Sequence, residues 1–286
     1  MDNKDNHDLR VAIQGGVGSF HDMAAREFFN SHKLELNCCD SFEDLFEQVE
    51  AQKADVAVMA IENTVAGSLL PNYSLLRDSG FLIIGEVYLR ISQHLMALPG
   101  QRIEDINEVS SHYMAIAQTR KFFKQYPHIK LVESEDTALS AKKLYEKQLK
   151  GCGAIAGRLA AEMYGLEVLA GEIETNKKNF TRFLVLYKPN GRPEYSEEKP
   201  DKASLSFSLP HKTGSLSQVL SIFSFYNLNL TKIQSVPILW EEFRYHFLVD
   251  LTFDNHERYL QSLEAIRPLT VDLTKLGDYS KGQRVI

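Results

Sequence analysis

The fifteen residues KPNGRPEYSEEKPDK, Lys188 to Lys202, constrain the fold of this chain more than any other feature. Three prolines, a glycine and dense charge between two apolar strands are the signature of a linker, because such a stretch neither continues a ladder nor buries a face. The linker divides 286 residues into two parts, each long enough to bury a core without a metal or disulfide staple. The expected division is 8–188, a linker over 189–202 and a C-terminal module over 203–276.

Upstream, short β-like runs (Val11 to Gln14, Val56 to Ile61, Ala154 to Ala156, Phe183 to Leu186) alternate with helical patterns, as in open α/β sheets. One helix starts at Ser41, where Ser41 and Asp44 make a capping-box pattern ahead of the stripe Phe42, Leu45, Phe46, Val49. Others are expected after Ser111 and Asp136, and Gly165 reads as a helix stop. Downstream the order is strand (204–209), helix (215–225), strand (229–237), strand (243–253), helix (256–266), strand (269–273). That is the βαββαβ order of a ferredoxin-like module, whose bare sheet face invites a partner subunit.

A composition of 44% apolar and 24% charged residues with net charge −6 fits an ordinary globular protein and disfavours nucleic acid as a partner. The opening MDNKDNHDL has no apolar core with a cleavage site, and no later run is long enough for a bilayer; the expectation is a cytoplasmic protein without a membrane partner. Cys38, Cys39 and Cys152 make neither a CxxC pair nor an even framework, so they read as reduced, structural thiols.

Four stretches carry candidate chemistry. Gln14-Gly15-Gly16-Val17-Gly18-Ser19 follows a strand and precedes a helix, but a dinucleotide loop read from Gly16 meets His21 where its third glycine is required, and no GK[ST] ending follows. What remains is a tight turn whose N–H groups suit a carboxylate. Glu62-Asn63-Thr64 ends a buried strand at the edge where open sheets bind ligands, although Asn63 and Thr64 read equally as turn and capping residues. Ser110-Ser111-His112 opens a helix in the same way, and His112 suits a cap as well as proton transfer. Asn179-Phe180-Thr181-Arg182-Phe183 leads a strand; an Arg there is commonly solvated, yet beside polar helix ends its fork matches a carboxylate and the neighbouring hydroxyl can deliver a proton. HExxH, paired Cys/His spacing and GxSxG are missing from the sequence, so a metal site and serine-nucleophile chemistry lack support.

From about Arg10 to about Leu273 the chain resembles the prephenate dehydratases. QGGVGSF, AVMAIENTVAG, SSHYMAIAQ, EDTALSA and NFTRF resemble that family's motifs in order, NFTRF being the most specific, and KTGSLSQVLSIFSFYNLNLTKIQSVP is similar to the effector region of an ACT module. The resemblance implies two α/β lobes like those of periplasmic binding proteins with an inter-lobe cleft: one over about 8–88 plus 173–188, the other over about 89–172, followed by a ferredoxin-like ACT domain. It implies conversion of prephenate to phenylpyruvate without a cofactor, by concerted loss of carbon dioxide and the ring hydroxyl. Thr181 would donate to the departing hydroxyl; Ser19, Asn63, Thr64, Ser111, His112, Arg182 and Phe183 would bind substrate. Gly214, Ser215, Leu216, Asn229, Gln234 and Ser235 would hold an effector, L-phenylalanine, and the ACT module would assemble a homodimer or homotetramer.

Some positions depart from the family pattern. Gly16, Ala60 and Tyr113 replace prolines, His21 stands where Ser or Thr is usual, and Gln234-Ser235-Val236-Pro237 replaces Glu-Ser-Arg-Pro, removing two charges from the effector motif. Two rival readings stay open: an arogenate dehydratase, and a non-catalytic, amino-acid-responsive binding protein on the same lobes.

Overall fold

The computed structural model describes residues 8–189, 199–238 and 244–285. Most of the linker, the first seven residues and the expected strand start at Phe243 lie outside the described residues. In chain order the elements are Leu9–Gln14 (β1), Phe20–Phe28 (α1), Leu34–Cys39 (β2), Phe42–Glu50 (α2), Val56–Asn63 (β3), Gly67–Ser68 (β4), Leu70–Ser79 (α3), Leu82–Arg90 (β5), His94–Ala97 (β6), Glu108–His112 (β7), Tyr113–Phe123 (α4), Lys130–Ser134 (β8), Thr137–Glu146 (α5) and Cys152–Ala156 (β9). They continue with Arg158–Tyr164 (α6), Glu167–Ala170 (β10), Phe180–Tyr187 (β11), Lys202–Ser208 (β12), Ser215–Phe225 (α7), Asn229–Pro237 (β13), Tyr245–Thr252 (β14), His256–Ile266 (α8), Val271–Tyr279 (β15) and Arg284–Val285 (β16).

The chain forms two compact units: 1–67 with 87–183 and 284–286, and 68–86 with 184–283. The first holds two α/β lobes. The larger sheet runs β16-β5-β11-β3-β1-β2, with β4 paired to β3. β1 lies parallel to both β2 and β3, with Val11 opposite Val56. Val56 through Ile61 are all buried, which is why β3 reads as a continuous apolar run rather than an alternating one. The second sheet runs β10-β6-β9-β7-β8. Alternation along its strands splits the core in two: Leu95, Ala97 and Ile155 pack with Ile116 and Phe123 of α4, while Met96, Ala154 and Ala156 pack with Ala138 and Ala141 of α5 and Ala160 of α6. This is the mixed α/β, periplasmic-binding-protein-like architecture expected from the sequence.

Local signals set several element ends. Ser41 and Asp44 form the reciprocal capping box, Asp136 caps α5 through Leu139 N, and Gly165 ends α6 in the left-handed region at φ 61°. The helix expected to start after Ser111 starts one residue later: Ser111 stays in β7 and His112 is the cap. Thr64 does not open a helix at all, since Asn63 turns the chain into β4 and α3 begins only at Leu70.

In the second unit, β12–β15 form an antiparallel sheet of order β13-β14-β12-β15 with α7 and α8, the expected βαββαβ connectivity. Its core comprises Leu205, Phe207, Val219, Phe223, Val249, Leu251 and Tyr259. Residues 68–86 group with this module. Lys202 Nζ lies 2.9 Å from both carboxylate oxygens of Glu86, the two side chains being 3% and 0% exposed, and Lys232 Nζ donates to Ser68 Oγ at 2.7 Å. Added Cβ atoms at Gly277 and Gly282 would collide with the carbonyl oxygens of Ile83 and Glu86, so only glycine permits this approach of the C-terminal segment to β5.

Candidate active site

Three chain segments meet at one edge of the larger sheet: the turn after β1, the end of β3 and the start of β11. Thr64 N donates to Phe180 O at 2.9 Å, Phe180 N donates to Thr64 Oγ1 at 2.9 Å, and Thr64 Oγ1 donates to Lys178 O at 3.0 Å. These bonds fix the first residues of β11 against the end of β3. Asn63 completes the join: its Oδ1 accepts from Val65 N and Ala66 N in an Asx turn, and its Nδ2 faces Asn179 Oδ1 at 2.8 Å, Phe180 O at 3.2 Å and Thr181 Oγ1 at 2.9 Å.

The last contact defines the state of Thr181. An amide nitrogen only donates, so Thr181 Oγ1 is the acceptor and its own hydrogen is directed elsewhere. The side chain is buried at 8% exposure, which keeps competing water from most of its surface.

Along a strand successive side chains take opposite faces. Thr181 and Phe183 therefore leave β11 on one side and Phe180 and Arg182 on the other. Phe183 meets the His21 ring edge-on at 5.0 Å, whereas the Arg182 guanidinium, 4% exposed, stands 5.9 Å from the centre of the Tyr88 ring. The hydroxyl and the guanidinium are both buried at the sheet edge but diverge in direction, which the adjacency of the two residues in the sequence conceals.

Several expected ligand groups are committed within the protein. Ser19 caps α1 by accepting from Asp22 N, and its amide donates to Gly16 O; Gly18 N donates to Asp22 Oδ2 at 2.8 Å. The glycine turn also packs on the second lobe: Tyr164 OH donates to Val17 O at 2.9 Å, and a Cβ on Gly18 (φ 84°) would lie 2.9 Å from Ala160 Cα. Ser111 is fully buried and donates to Ile155 O at 2.6 Å. His112 is half-buried; its Nδ1 accepts from Met114 N, so the neutral ring carries its proton on Nε2. Burial lowers the His112 pKa, opposed by Asp136 and Glu133, which favours the neutral, Nε2-donating form.

Two residues escaped the sequence reading. Gln118 of α4 accepts from Asn179 Nδ2 at 3.0 Å through its side chain and from Thr175 N at 2.9 Å through its carbonyl, joining the second lobe to the segment that leads into β11. Both lie inside motifs that drew attention for other residues, and their bond spans 61 positions of sequence.

His21 is buried against Phe183 and Phe42 and accepts from Ala60 N at 3.2 Å. Desolvation pushes its pKa from 6.5 down to about 3. The unfolded chain binds a proton there that the folded chain refuses, so stability falls as pH drops from about 6.5 towards 3. In His21→Gln, which keeps an acceptor for Ala60 N, that dependence should be shallower by up to about 1.4 kcal/mol per pH unit. Denaturant titrations of both proteins at several pH values check this, and equal slopes contradict it.

The described effector candidates sit in the second unit. Gly214 precedes α7 at φ 83°, Ser215 Oγ donates to Pro210 O at 2.9 Å, and Leu216 is half-buried in the first turn. Asn229, Gln234 and Ser235 lie along β13, with Gln234 Nε2 donating to Ser235 O at 3.0 Å. Among the described residues no group of three or more His, Cys, Asp or Glu is placed to hold a metal, and no helix is long and apolar enough to cross a membrane.

Residues 11–191 match the family model for prephenate dehydratase. The bifunctional chorismate mutase/prephenate dehydratase of Aquifex aeolicus is 34% identical over 275 residues, covering 96% of this chain and 74% of that protein. Arogenate dehydratase 2 of Petunia hybrida is 38% identical over 255 residues, covering 89% of this chain and 63% of that protein. A solved prephenate dehydratase from Arthrobacter aurescens, in complex with L-Phe, superposes with a TM-score of 0.82 at 27% identity, covering 97% of this chain and 92% of that one. The chain belongs to the prephenate dehydratase family.

Proposed function

We propose that the chain converts prephenate to phenylpyruvate, with Thr181 as the hydrogen-bond donor to the leaving group. The observation that carries this reading is the Asn63–Thr181 contact, which fixes the threonine as acceptor towards the protein and so frees its O–H for a ligand. In the reaction the bond from the ring to its carboxylate breaks, carbon dioxide leaves, the electron pair enters the ring, and the opposite carbon–oxygen bond breaks. The departing oxygen gains charge and takes the Thr181 hydrogen bond as it does so, a contact strongest in the transition state. Aromatisation supplies the drive, and no electron sink is required.

Asn63 acts through Thr181 rather than on substrate, since its amide is spent on Asn179, Phe180 and Thr181. His112 Nε2–H and the amides opening α4 suit one substrate carboxylate. Arg182 sits behind Thr181 and contributes a buried positive charge at the sheet edge, which favours binding of a dianion. Phe183, 1% exposed and edge-on to His21, backs Thr181 from within the core rather than facing a ligand. L-phenylalanine is the proposed effector of the βαββαβ module, supported by the L-Phe complex of the Arthrobacter aurescens relative.

The Petunia relative keeps arogenate as a second candidate substrate, differing in an amine for a keto group. Initial rates on prephenate and arogenate side by side test the assignment. A higher kcat/KM on prephenate is expected; a higher value on arogenate transfers the reading to that substrate.

A further inference from the structure

The C-terminal segment beyond the βαββαβ module has no role in the reaction as derived above. After Gly277 and Gly282, which make their close approaches to Ile83 and Glu86, the chain enters β16, which pairs parallel with β5: Arg284 opposite Tyr88 and Val285 opposite Leu89. β16 is thus the edge strand of the sheet that carries Thr181. The Arg284 guanidinium reaches across β5 to β11 and stands 5.6 Å from the centre of the Phe180 ring.

Phe180 is the backbone junction of the proposed site. Its carbonyl accepts from Thr64 N and Asn63 Nδ2, its amide donates to Thr64 Oγ1, and it directly precedes Thr181. A half-buried aromatic ring at a strand start can swing about its side-chain bonds, and an unanchored ring loosens the packing around the hydrogen bonds that hold the Phe180 backbone beside Thr181. A guanidinium over the ring face opposes that swing.

Resting on the proposed reaction, we propose that Arg284 is a positioning residue for Thr181: β16 brings its guanidinium onto Phe180 and so holds the hydroxyl in register with Asn63. Its contact is exposed, and loss of an exposed cation–π pair corresponds to about a two- to fivefold fall in kcat. KM should change little, because the exposed Arg284 charge is screened by solvent, unlike the buried charge of Arg182.

The test compares the full chain with Arg284→Gln and Arg284→Lys on whichever of prephenate and arogenate the parent converts, together with hydrogen exchange at the Phe180 amide. The proposal expects lowered kcat at constant KM and faster exchange in Arg284→Gln, with Arg284→Lys in between because it keeps a cation over the ring. Backbone pairing of β16 is common to both variants, so a merely structural role would not separate them. Unchanged kcat or unchanged exchange in Arg284→Gln overturns the proposal. A parent inert on both substrates rejects the proposed reaction instead, and the exchange measurement then decides alone whether Arg284 holds Phe180.

Discussion

Thr181→Val should lower kcat about a hundred- to ten-thousandfold, the range expected when a proton-donating side chain is removed from a transition state. Valine keeps the branched shape and burial of threonine but cannot donate. Stability should change little, because Asn63 Nδ2 retains Asn179 Oδ1 and Phe180 O when the third acceptor is lost. Thr181→Ser, which keeps the hydroxyl but frees its rotamer, should fall between the two. Steady-state kinetics with a melting curve for each variant check this. A Thr181→Val protein with parental kcat would show that the leaving group is served by another donor.

The second large effect concerns stability. In Lys202→Met the Glu86 carboxylate, 0% exposed, loses the cation 2.9 Å from both its oxygens, while the Gly282 amide still donates to it at 3.1 Å. Breaking a buried pair from one side costs about 3–5 kcal/mol, because the remaining charge loses its nearest compensation in the core. Replacing both partners, Lys202→Met with Glu86→Leu, should recover most of that loss, since attraction and desolvation cost disappear together. Denaturant unfolding of the two singles and the double completes the cycle. A double variant as unstable as Lys202→Met would mean that the pair contributes more than mutual compensation.

The sequence made the local features legible and left the long-range ones hidden. Ser41 with Asp44, Asp136 and Gly165 act within four residues of themselves, so their capping roles could be read directly. The ends of α7, β13 and α8 were likewise set by turn residues and apolar periodicity. Ser111 misled because strand pairing overrides capping propensity: its hydroxyl finds Ile155 O, 44 residues away, and the cap passes to His112. Thr64 misled because its hydroxyl is taken by Lys178 O and Phe180 N across more than a hundred residues. Glu86 and Lys202 look like ordinary surface charges until 116 residues of chain bring them together out of water.

At the candidate site the motif NFTRF was visible, but its geometry was not. Strand alternation separates Thr181 from Arg182, a consequence of the two-residue period that becomes decisive only once the strand is seen to begin at Phe180. The roles of Gln118 and Asn179 depend on a contact between lobes and so had no local signal. The final residues escaped for the same reason, since β16 is two residues long and carries no pattern of its own.

The most direct measurement is a single-turnover reaction with the parent protein in excess over prephenate, following phenylpyruvate formation beside an identical reaction with Thr181→Val. Complete conversion by the parent, with the variant slower by at least about a hundredfold, is the expected result. No phenylpyruvate from the parent under those conditions, or equal rate constants for the two proteins, would contradict a buried threonine hydroxyl as the group that takes the leaving oxygen.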